Sequence, residues 1–239
     1  ALDESNYEVK IEDVNTLLLA RGIELESVIV NPESGRGLKA EIQSIKFKGV
    51  NLIKLIFKSD LDIKEVTLSN SKVEGVLATT KVKHLVSTLN LNIGKIVLDK
   101  IDLKIRNASD AKSYSIRDGF FTLYNFDILK KDTLLMKNMG EFDFKAAEVM
   151  VVSADSFYTY QAINPSYTLL SASLQIDSFR VIPGYKDYDF TSRHEFQTDC
   201  IEAEFSNVTA HGVFFQDYFK SKDIISSLVE IDSMDINVF

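Results

Sequence analysis

The sequence predicts an all-β protein: an elongated, curled antiparallel sheet, shaped as a β-groove or as an open barrel or sandwich, with two short amphipathic helices. Three observations predict this class. Residues that favour strands (Val, Ile, Phe, Tyr and Thr) recur in short runs, and helix formers do not dominate. Several of these runs alternate apolar and polar residues, which is the period of a half-buried strand. A strand–glycine–helix–strand pattern also occurs twice, which indicates a modular sheet.

Bulk properties limit the classes of protein that remain. The 239 residues suffice for one large β domain or two ordinary ones, and the hydrophobic content of 45% is far too high for disorder. We read residues 1–239 as one continuous domain whose weakest join lies near residues 77–90, where an apolar run gives way to a polar stretch. The formal charge of −8 argues against a nucleic-acid partner, because phosphates require clustered Lys and Arg.

Three features of the sequence bear on the cellular compartment: its cysteine content, the length of its apolar runs and its first residue. Cys200 is the only cysteine, so no intramolecular disulfide forms, and we expect its small side chain to be buried or half-buried. No apolar run approaches the ~20 residues of a membrane span. The chain begins with Ala1 rather than Met, so we expect that an N-terminal segment, such as a membrane anchor, has been removed.

The strands are predicted in order along the chain from alternating runs. Residues 13–21 are ambiguous, because Leu17, Leu18 and Leu19 suit either a helix closed by Gly22 or a buried strand. Loops are predicted at 31–37, 107–110 and 183–185 from their Asn, Pro, Ser and Gly residues. The alternating runs are Tyr7–Ile11, Leu91–Ile93, Ile101–Ile105, Phe142–Phe144 and Leu174–Ile176.

The repeated pattern covers about residues 42–73 and 201–236. Each copy has a strand, a glycine corner (Gly49 or Gly212), a short apolar helical face, a Lys-Ser pair and a second strand. The helical faces have the i, i+1, i+4, i+5 spacing of one side of a helix, so amphipathic helices are predicted at 52–58 and 214–220. Their candidate groove or lid residues are Leu52, Ile53, Ile56, Phe57, Phe214, Phe215, Tyr218 and Phe219.

A second recurring pattern places apolar residues three and then two positions apart. This spacing breaks strict alternation once, as a bend or β-bulge in a strand does. It occurs at Leu25/Val28/Val30, Ile42/Ile45/Phe47, Ile63/Val66/Leu68, Ile93/Ile96/Leu98, Ile176/Phe179/Val181 and Ile231/Met234/Ile236.

Catalytic and metal-binding patterns are missing from the sequence. His84, His194 and His211 lack ligand partners at the spacing of a known metal site, and no glycine-rich phosphate loop occurs. No serine stands in a nucleophile elbow, and Cys200 has no evident base. Carboxylate pairs such as Asp187/Asp189 or Asp232/Asp235 are expected to face water. We therefore predict no catalytic residue, no metal, no cofactor and no enzymatic activity.

The chain has 16 Phe, 9 Tyr and no Trp, and many of these aromatic residues lie in its second half. Two interpretations remain open. The rings pack a core between the sheet and the short helices, or they line an apolar concave face that holds a lipid or another extended apolar ligand.

The order of segments resembles the N-terminal module of AsmA-like envelope proteins of bacteria, which are repeating β-groove proteins. The resemblance is carried by the Tyr7–Ile11 strand, the Leu17–Leu19 run followed by Ile23–Pro32, the segment from Ile42 through Leu68, and Leu174–Tyr185. It implies a long curled sheet with an apolar inner face, and it favours a strand over residues 13–21.

The resemblance implies a non-enzymatic protein of the periplasm or cell envelope, anchored to a membrane through a segment missing from this chain. Its expected partner is a lipid or acyl chain, and its expected role is in lipid transport or outer-membrane homeostasis. The alternative is a β-sandwich module that recognises a protein or glycan partner through its loops; a hydrolase of envelope polymers would need a privileged carboxylate pair that the sequence does not offer.

Overall fold

The computed structural model describes residues 7–33, 37–51, 60–77, 90–128, 141–185, 199–215 and 223–239. These residues form fourteen strands and one 3-10 turn at Leu169–Ser171. The strands are β1 Tyr7–Lys10, β2 Asp13–Leu17, β3 Gly22–Pro32, β4 Leu38–Lys48, β5 Asp60–Leu77, β6 Asn90–Asn107, β7 Ser113–Ile128, β8 Glu141–Lys145, β9 Glu148–Val152, β10 Tyr158–Ile163, β11 Ser166–Thr168, β12 Ser173–Pro183, β13 Ile201–His211 and β14 Leu228–Val238.

All fourteen strands belong to one large, curled sheet, so the all-β prediction is confirmed. Three pairs of short strands act as halves of longer broken strands: β1 and β2 both pair with β3, β8 and β9 both pair with β7, and β10 and β11 both pair with β12. The sheet therefore runs from β1/β2 through β3–β7, β8/β9, β10/β11, β12 and β13 to β14.

The sheet is mixed rather than antiparallel throughout, which corrects the prediction. β5 and β6 pair in parallel from Asp60↔Asn90 to Leu77↔Asn107, whereas the other strand pairs are antiparallel. A parallel pair requires a crossover of a dozen or so residues, and twelve residues (78–89) separate these two strands. The alternation within each strand is the same in both arrangements, so the sequence pattern could not distinguish them.

The two amphipathic helices are not supported. Among the described residues only the 3-10 turn at Leu169–Ser171 and the single residue Phe215 have helical conformation. The segment predicted at 52–58 lies outside the described residues, as does the segment at 214–220 except for Phe214 and Phe215.

Residues 13–21 form a strand and a turn, which resolves the ambiguity against a helix. β2 pairs with β3 from Asp13↔Glu26 to Leu17↔Gly22, and a turn at 18–21 joins them. The strand is not buried, however. Leu18 and Leu19 have 86% and 105% exposed surface, because they occupy the tip of this hairpin rather than the core.

The three-then-two spacing marks bends in the strands. In all six instances the pairing skips one position inside the three-residue gap; the skipped residues are Ser27, Gln43, Lys64, Gly94, Asp177 and Asp232. Residues with positive φ stand at or opposite several of these positions, including Ser27 (φ 51), Asn70 (φ 47) and Asn207 (φ 49). A left-handed residue turns the strand, so the apolar side chains on both sides of the bend face the same way.

Asparagine side chains bridge neighbouring strands at these bends. The Nδ2 atoms of Asn164 and Asn207 donate hydrogen bonds of 2.9 Å to the carboxylates of Asp177 and Asp232. Asn70 donates to Gln43 (2.6 Å) and Asn125 to Glu141 (3.0 Å) in the same manner. Asn tolerates the left-handed conformation better than most residues, which explains its use here.

The first five strands and the last five share their order and register. Tyr7 pairs with Pro32 and Tyr158 with Pro183, and Leu17 pairs with Gly22 and Thr168 with Ser173, an offset of 151 residues in every case. The next two strands follow with an offset of 163 residues: Lys48 pairs with Glu65, and His211 with Leu228. We call β1–β5 the first unit and β10–β14 the second unit.

The core contains two buried clusters, each formed by one unit together with the strands beside it. The first is centred on Ile63, Val66 and Ile93, with Ile45, Phe47 and Val50 packed against it. The second is centred on Tyr167, Ala210 and Val213 and is dominated by aromatic rings. Its aromatic members are Phe142, Phe144, Tyr167 and Phe215, and for these residues the interpretation that the rings pack a core is supported.

Candidate functional site

A glycine corner closes the same strand in each unit and positions the candidate site. Gly49 follows β4 with φ +68, and Gly212 follows β13 with φ +67. A Cβ at Gly49 would stand 2.6 Å from Cβ of Lys64, and one at Gly212 would stand 2.6 Å from Oγ of Ser227. Both the left-handed backbone and the close approach therefore require glycine.

The residue after each glycine is tied to the turn that precedes the unit's middle strand. The Val50 amide donates to the Arg21 carbonyl over 3.1 Å, and the Val213 amide donates to the Ala172 carbonyl over 2.8 Å. Arg21 and Ala172 both have φ 46 and both end a turn that begins at a leucine, Leu18 or Leu169. The corner and the turn thus form the same scaffold twice.

In the first unit this scaffold surrounds a cavity of about 650 Å³. Ligand pockets in proteins commonly have ~300–1,000 Å³, so the space suffices for a small molecule or part of a chain. A second cavity of about 350 Å³ shares Gly49 and Asn51 with the first and extends toward Ile63 and Gly94. The lining of the larger cavity is mainly apolar and consists of Thr16, Leu17, Leu18, Arg21, Gly22, Ile23, Gly49, Val50 and Asn51.

In the second unit aromatic side chains fill the equivalent space. Tyr167 occupies the register position of Thr16, since Thr16 pairs with Ile23 and Tyr167 with Leu174. The Tyr167 ring is 3% exposed, and its hydroxyl donates to the Val213 carbonyl over 3.0 Å. The rings of Phe142 and Phe215 lie 5.1 Å and 4.8 Å from it, centroid to centroid.

The rim of the cavity carries a cation and exposed leucines. Arg21 lines the cavity, and no carboxylate among the described residues forms a salt bridge with it. Leu18 lines the cavity too, with its side chain largely in solvent, and Leu19 beside it is fully exposed. An apolar interior with one unpaired guanidinium at its mouth suits an amphiphile with an anionic head.

The groove residues predicted from the sequence are only partly placed. Leu52, Ile53, Ile56, Phe57, Tyr218 and Phe219 lie outside the described residues. Phe215 belongs to the packed aromatic cluster, and Phe214 beside it is 54% exposed. Phe215 is therefore packed and Phe214 is exposed, although the sequence pattern places both on the same helical face.

Several carboxylates of the described strands pair with side chains of the neighbouring strand. The Arg180 guanidinium lowers the pKa of Glu204, aided by a hydrogen bond from Ser178. The Ser44 hydroxyl lowers the pKa of Glu24, with Lys46 adding to the effect, and Lys48 lowers the pKa of Glu65. Within the described ranges no three His, Cys, Asp or Glu side chains lie close enough to hold a metal ion.

The cavity residues Thr16, Arg21 and Ile23 were not singled out from the sequence. A signal was present, because the chain segments Gly22–Pro32 and Ser173–Pro183 share Ser, Val and Pro at matching positions and thereby extend the repeat toward the N-terminus. Aligning them would have set Thr16 against Tyr167 and shown a small residue where the other unit has a ring.

No protein-family model matches the chain, and a search of curated proteins returns no significant match. The likeness to AsmA-like proteins therefore rests on the order of segments alone. Among the described residues no helix has the length and apolar character needed to cross a membrane.

Proposed function

We propose that this chain is a non-enzymatic cell-envelope protein that binds the acyl chain of a lipid or fatty acid in the cavity of its first unit. The observation that carries the proposal is the contrast between the two units. In one unit Tyr167 and its aromatic neighbours fill the scaffold, whereas in the other the described residues line a cavity of about 650 Å³.

Energetics favour occupation of this cavity. Exposed apolar surface costs roughly 25 cal/mol per Å², so a protein that keeps an apolar cavity open forgoes several kcal/mol unless a ligand fills it. Ile23 and Val50 supply apolar walls, while Arg21 stands at the rim where an anionic head would lie. The envelope location, the membrane anchor and the role in lipid transport or outer-membrane homeostasis follow the family resemblance and belong to the proposal.

A titration of fatty acids of increasing chain length tests the proposal. Each methylene buried contributes about 0.8 kcal/mol, so affinity rises about fourfold per methylene until the cavity is full. Native mass spectrometry of the purified protein should also detect a co-purified lipid. A flat response across chain lengths would contradict acyl binding and favour the alternative, a module that recognises a protein or glycan.

Thr16→Tyr provides the decisive variant, because it places in the first unit the residue that fills the second. We expect affinity for a long-chain fatty acid to fall roughly tenfold or more, with the free energy of unfolding unchanged or raised. Asn15→Tyr is the matched control, since its side chain alternates to the other face of β2 and does not line the cavity. Equal affinity in both variants would place the ligand elsewhere.

A further inference from the structure

We propose that one end of the strands docks on the surface of an anionic lipid bilayer, into which the exposed leucines of two equivalent hairpin turns insert. The proposal is independent of acyl-chain binding in the cavity of the first unit. It rests on the position of the exposed apolar side chains and on the charge of the sequence that joins the strands at each end.

Five connections leave the strands at the same end of the sheet. The register fixes this end, because neighbouring strand termini are paired there all the way from Leu17↔Gly22 to His211↔Leu228. We call it the leucine end. Its connections are residues 18–21, 49–59, 129–140, 169–172 and 212–227, of which 52–59, 129–140 and 216–222 lie outside the described residues.

Exposed leucines stand at equivalent positions of two hairpin turns at this end. Leu19, between β2 and β3, is 105% exposed, and Leu170, between β11 and β12, is 97% exposed. Their separation of 151 residues is that of the strands that flank them. Among the described connections at the two ends of the sheet, only those at the leucine end have exposed large apolar residues, and such a one-sided distribution marks an interaction surface. These residues are Leu18, Leu19, Leu170, Phe214, Ile224 and Ile225.

The charge of the connecting sequence also differs between the two ends. The five connections at the leucine end contain eight Lys or Arg and three Asp, a net charge of +5 in a chain whose total is −8. The connections at the opposite end, 33–37, 108–112, 153–157 and 184–200, contain four Lys or Arg and seven Asp or Glu, a net charge of −3. Basic residues combined with apolar ones are typical of segments that bind anionic membranes. The acidic end is repelled by the same surface, so the charges also orient the sheet.

The spacing of the two hairpin turns favours a bilayer over a protein partner. The strands that follow these turns, β3 and β12, are seven strands apart in the sheet, which is about 34 Å along it. A protein partner buries one contiguous patch. A bilayer is a continuous apolar phase beneath a charged surface, so it can bury separate side chains at the same time.

Tryptophan scanning tests the docking, because the chain has no Trp of its own. Leu19→Trp and Leu170→Trp should each show a blue shift of emission, and quenching by brominated acyl chains, on addition of vesicles of equal parts phosphatidylglycerol and phosphatidylcholine. Ala108→Trp is the matched control, since this exposed residue lies in the turn between β6 and β7 at the opposite end, and it should show neither change. Vesicles of phosphatidylcholine alone should bind about tenfold more weakly.

Two further variants separate the docking from its alternatives. Leu19→Ser combined with Leu170→Ser should lower the affinity for the mixed vesicles about tenfold or more and leave the urea midpoint unchanged, because both side chains are exposed in solution. Thr16→Tyr should leave vesicle binding unchanged, so that failure of acyl-chain binding and failure of docking are distinguishable.

Three results would overturn the proposal. The first is the absence of a shift at both leucine positions, or an equal shift in Ala108→Trp. The second is a shift in Leu19→Trp alone, because it would report lipid entering the cavity of the first unit rather than docking of the sheet. The third is a dimer in sedimentation that the paired serine substitutions dissociate, because a second copy of the chain would then cover the leucines.

Discussion

Tyr167 illustrates how a single side chain packs the repeated scaffold of the second unit. Its ring reaches from β11 to the glycine corner, where its hydroxyl binds the Val213 carbonyl. Thr16 at the equivalent position is too short to make either contact. Burial raises the pKa of Tyr167, with a smaller contribution from Asp143, so the phenol stays neutral and donates a hydrogen bond to the Val213 carbonyl.

Tyr167→Phe and Tyr167→Ala separate the contribution of the hydroxyl's hydrogen bond to stability from that of the packed ring. The Phe variant keeps the ring and loses one buried hydrogen bond, so we expect a loss of about 0.5–1.5 kcal/mol of unfolding free energy. The Ala variant leaves a cavity and should cost about 3–5 kcal/mol. Urea denaturation measures both. A Phe variant as unstable as the Ala variant would mean that the hydrogen bond, not the packing, holds the cluster.

The bends are the feature of the strands that the sequence predicted best. The three-then-two spacing identified six of them because each bend shifts the alternation by one position, and a shift of this kind is visible in apolar residues alone. The parallel pairing of β5 and β6 left no such trace, because it is a long-range arrangement of two strands that each alternate normally. Burial of β2 was overestimated, since Leu18 and Leu19 look like core residues but occupy a hairpin tip.

Asn207 tests the importance of the bends. Its φ of 49 is tolerated by Asn, and its side chain is fixed by Asp232. Asn207→Ala loses the hydrogen bond and puts in the left-handed region a residue that tolerates it less well than Asn, so we expect about 1–2 kcal/mol of destabilisation. Asn207→Gly relieves the strain but not the lost bond and should cost less. Equal losses, measured by thermal or chemical unfolding, would show that the bend contributes no strain.

At the scale of the whole molecule, one scaffold used twice gives a sheet with unlike ends. In the second unit the outer sides of β10 and β11 are covered by β9 and β8. In the first unit the equivalent strands, β1 and β2, have no described strand on their outer side. Phe142 of β8 supplies part of the aromatic filling in the second unit, and no described strand supplies such a ring to the first unit from the outer side of β2. The sequence showed the repeat but not the difference in filling between the units, because that difference depends on the strands that lie beside each unit.

The ionisable groups of the sheet predict how its stability depends on pH. The pKa values of Glu24, Glu65 and Glu204 are lowered from 4.5 by hydrogen bonds and cations, so the unfolded chain binds more protons than the folded one near that pH. Stability is present above pH 4.5 and is lost as pH falls toward the folded values. The pKa values of Tyr124 and Tyr167 are raised from 10.0, so stability is also lost as pH rises above 10.0.

We therefore expect a plateau of unfolding free energy between these limits, measured by urea denaturation across the pH range. Repulsion from the net charge of −8 would instead produce a peak near the isoelectric point of about 5.0. Glu204→Gln should flatten the acid limb slightly, because this carboxylate is exposed and solvent screens its pair with Arg180. A peak at pH 5 that Glu204→Gln leaves unchanged would show that net repulsion outweighs the cross-strand pairs in setting the stability of the sheet.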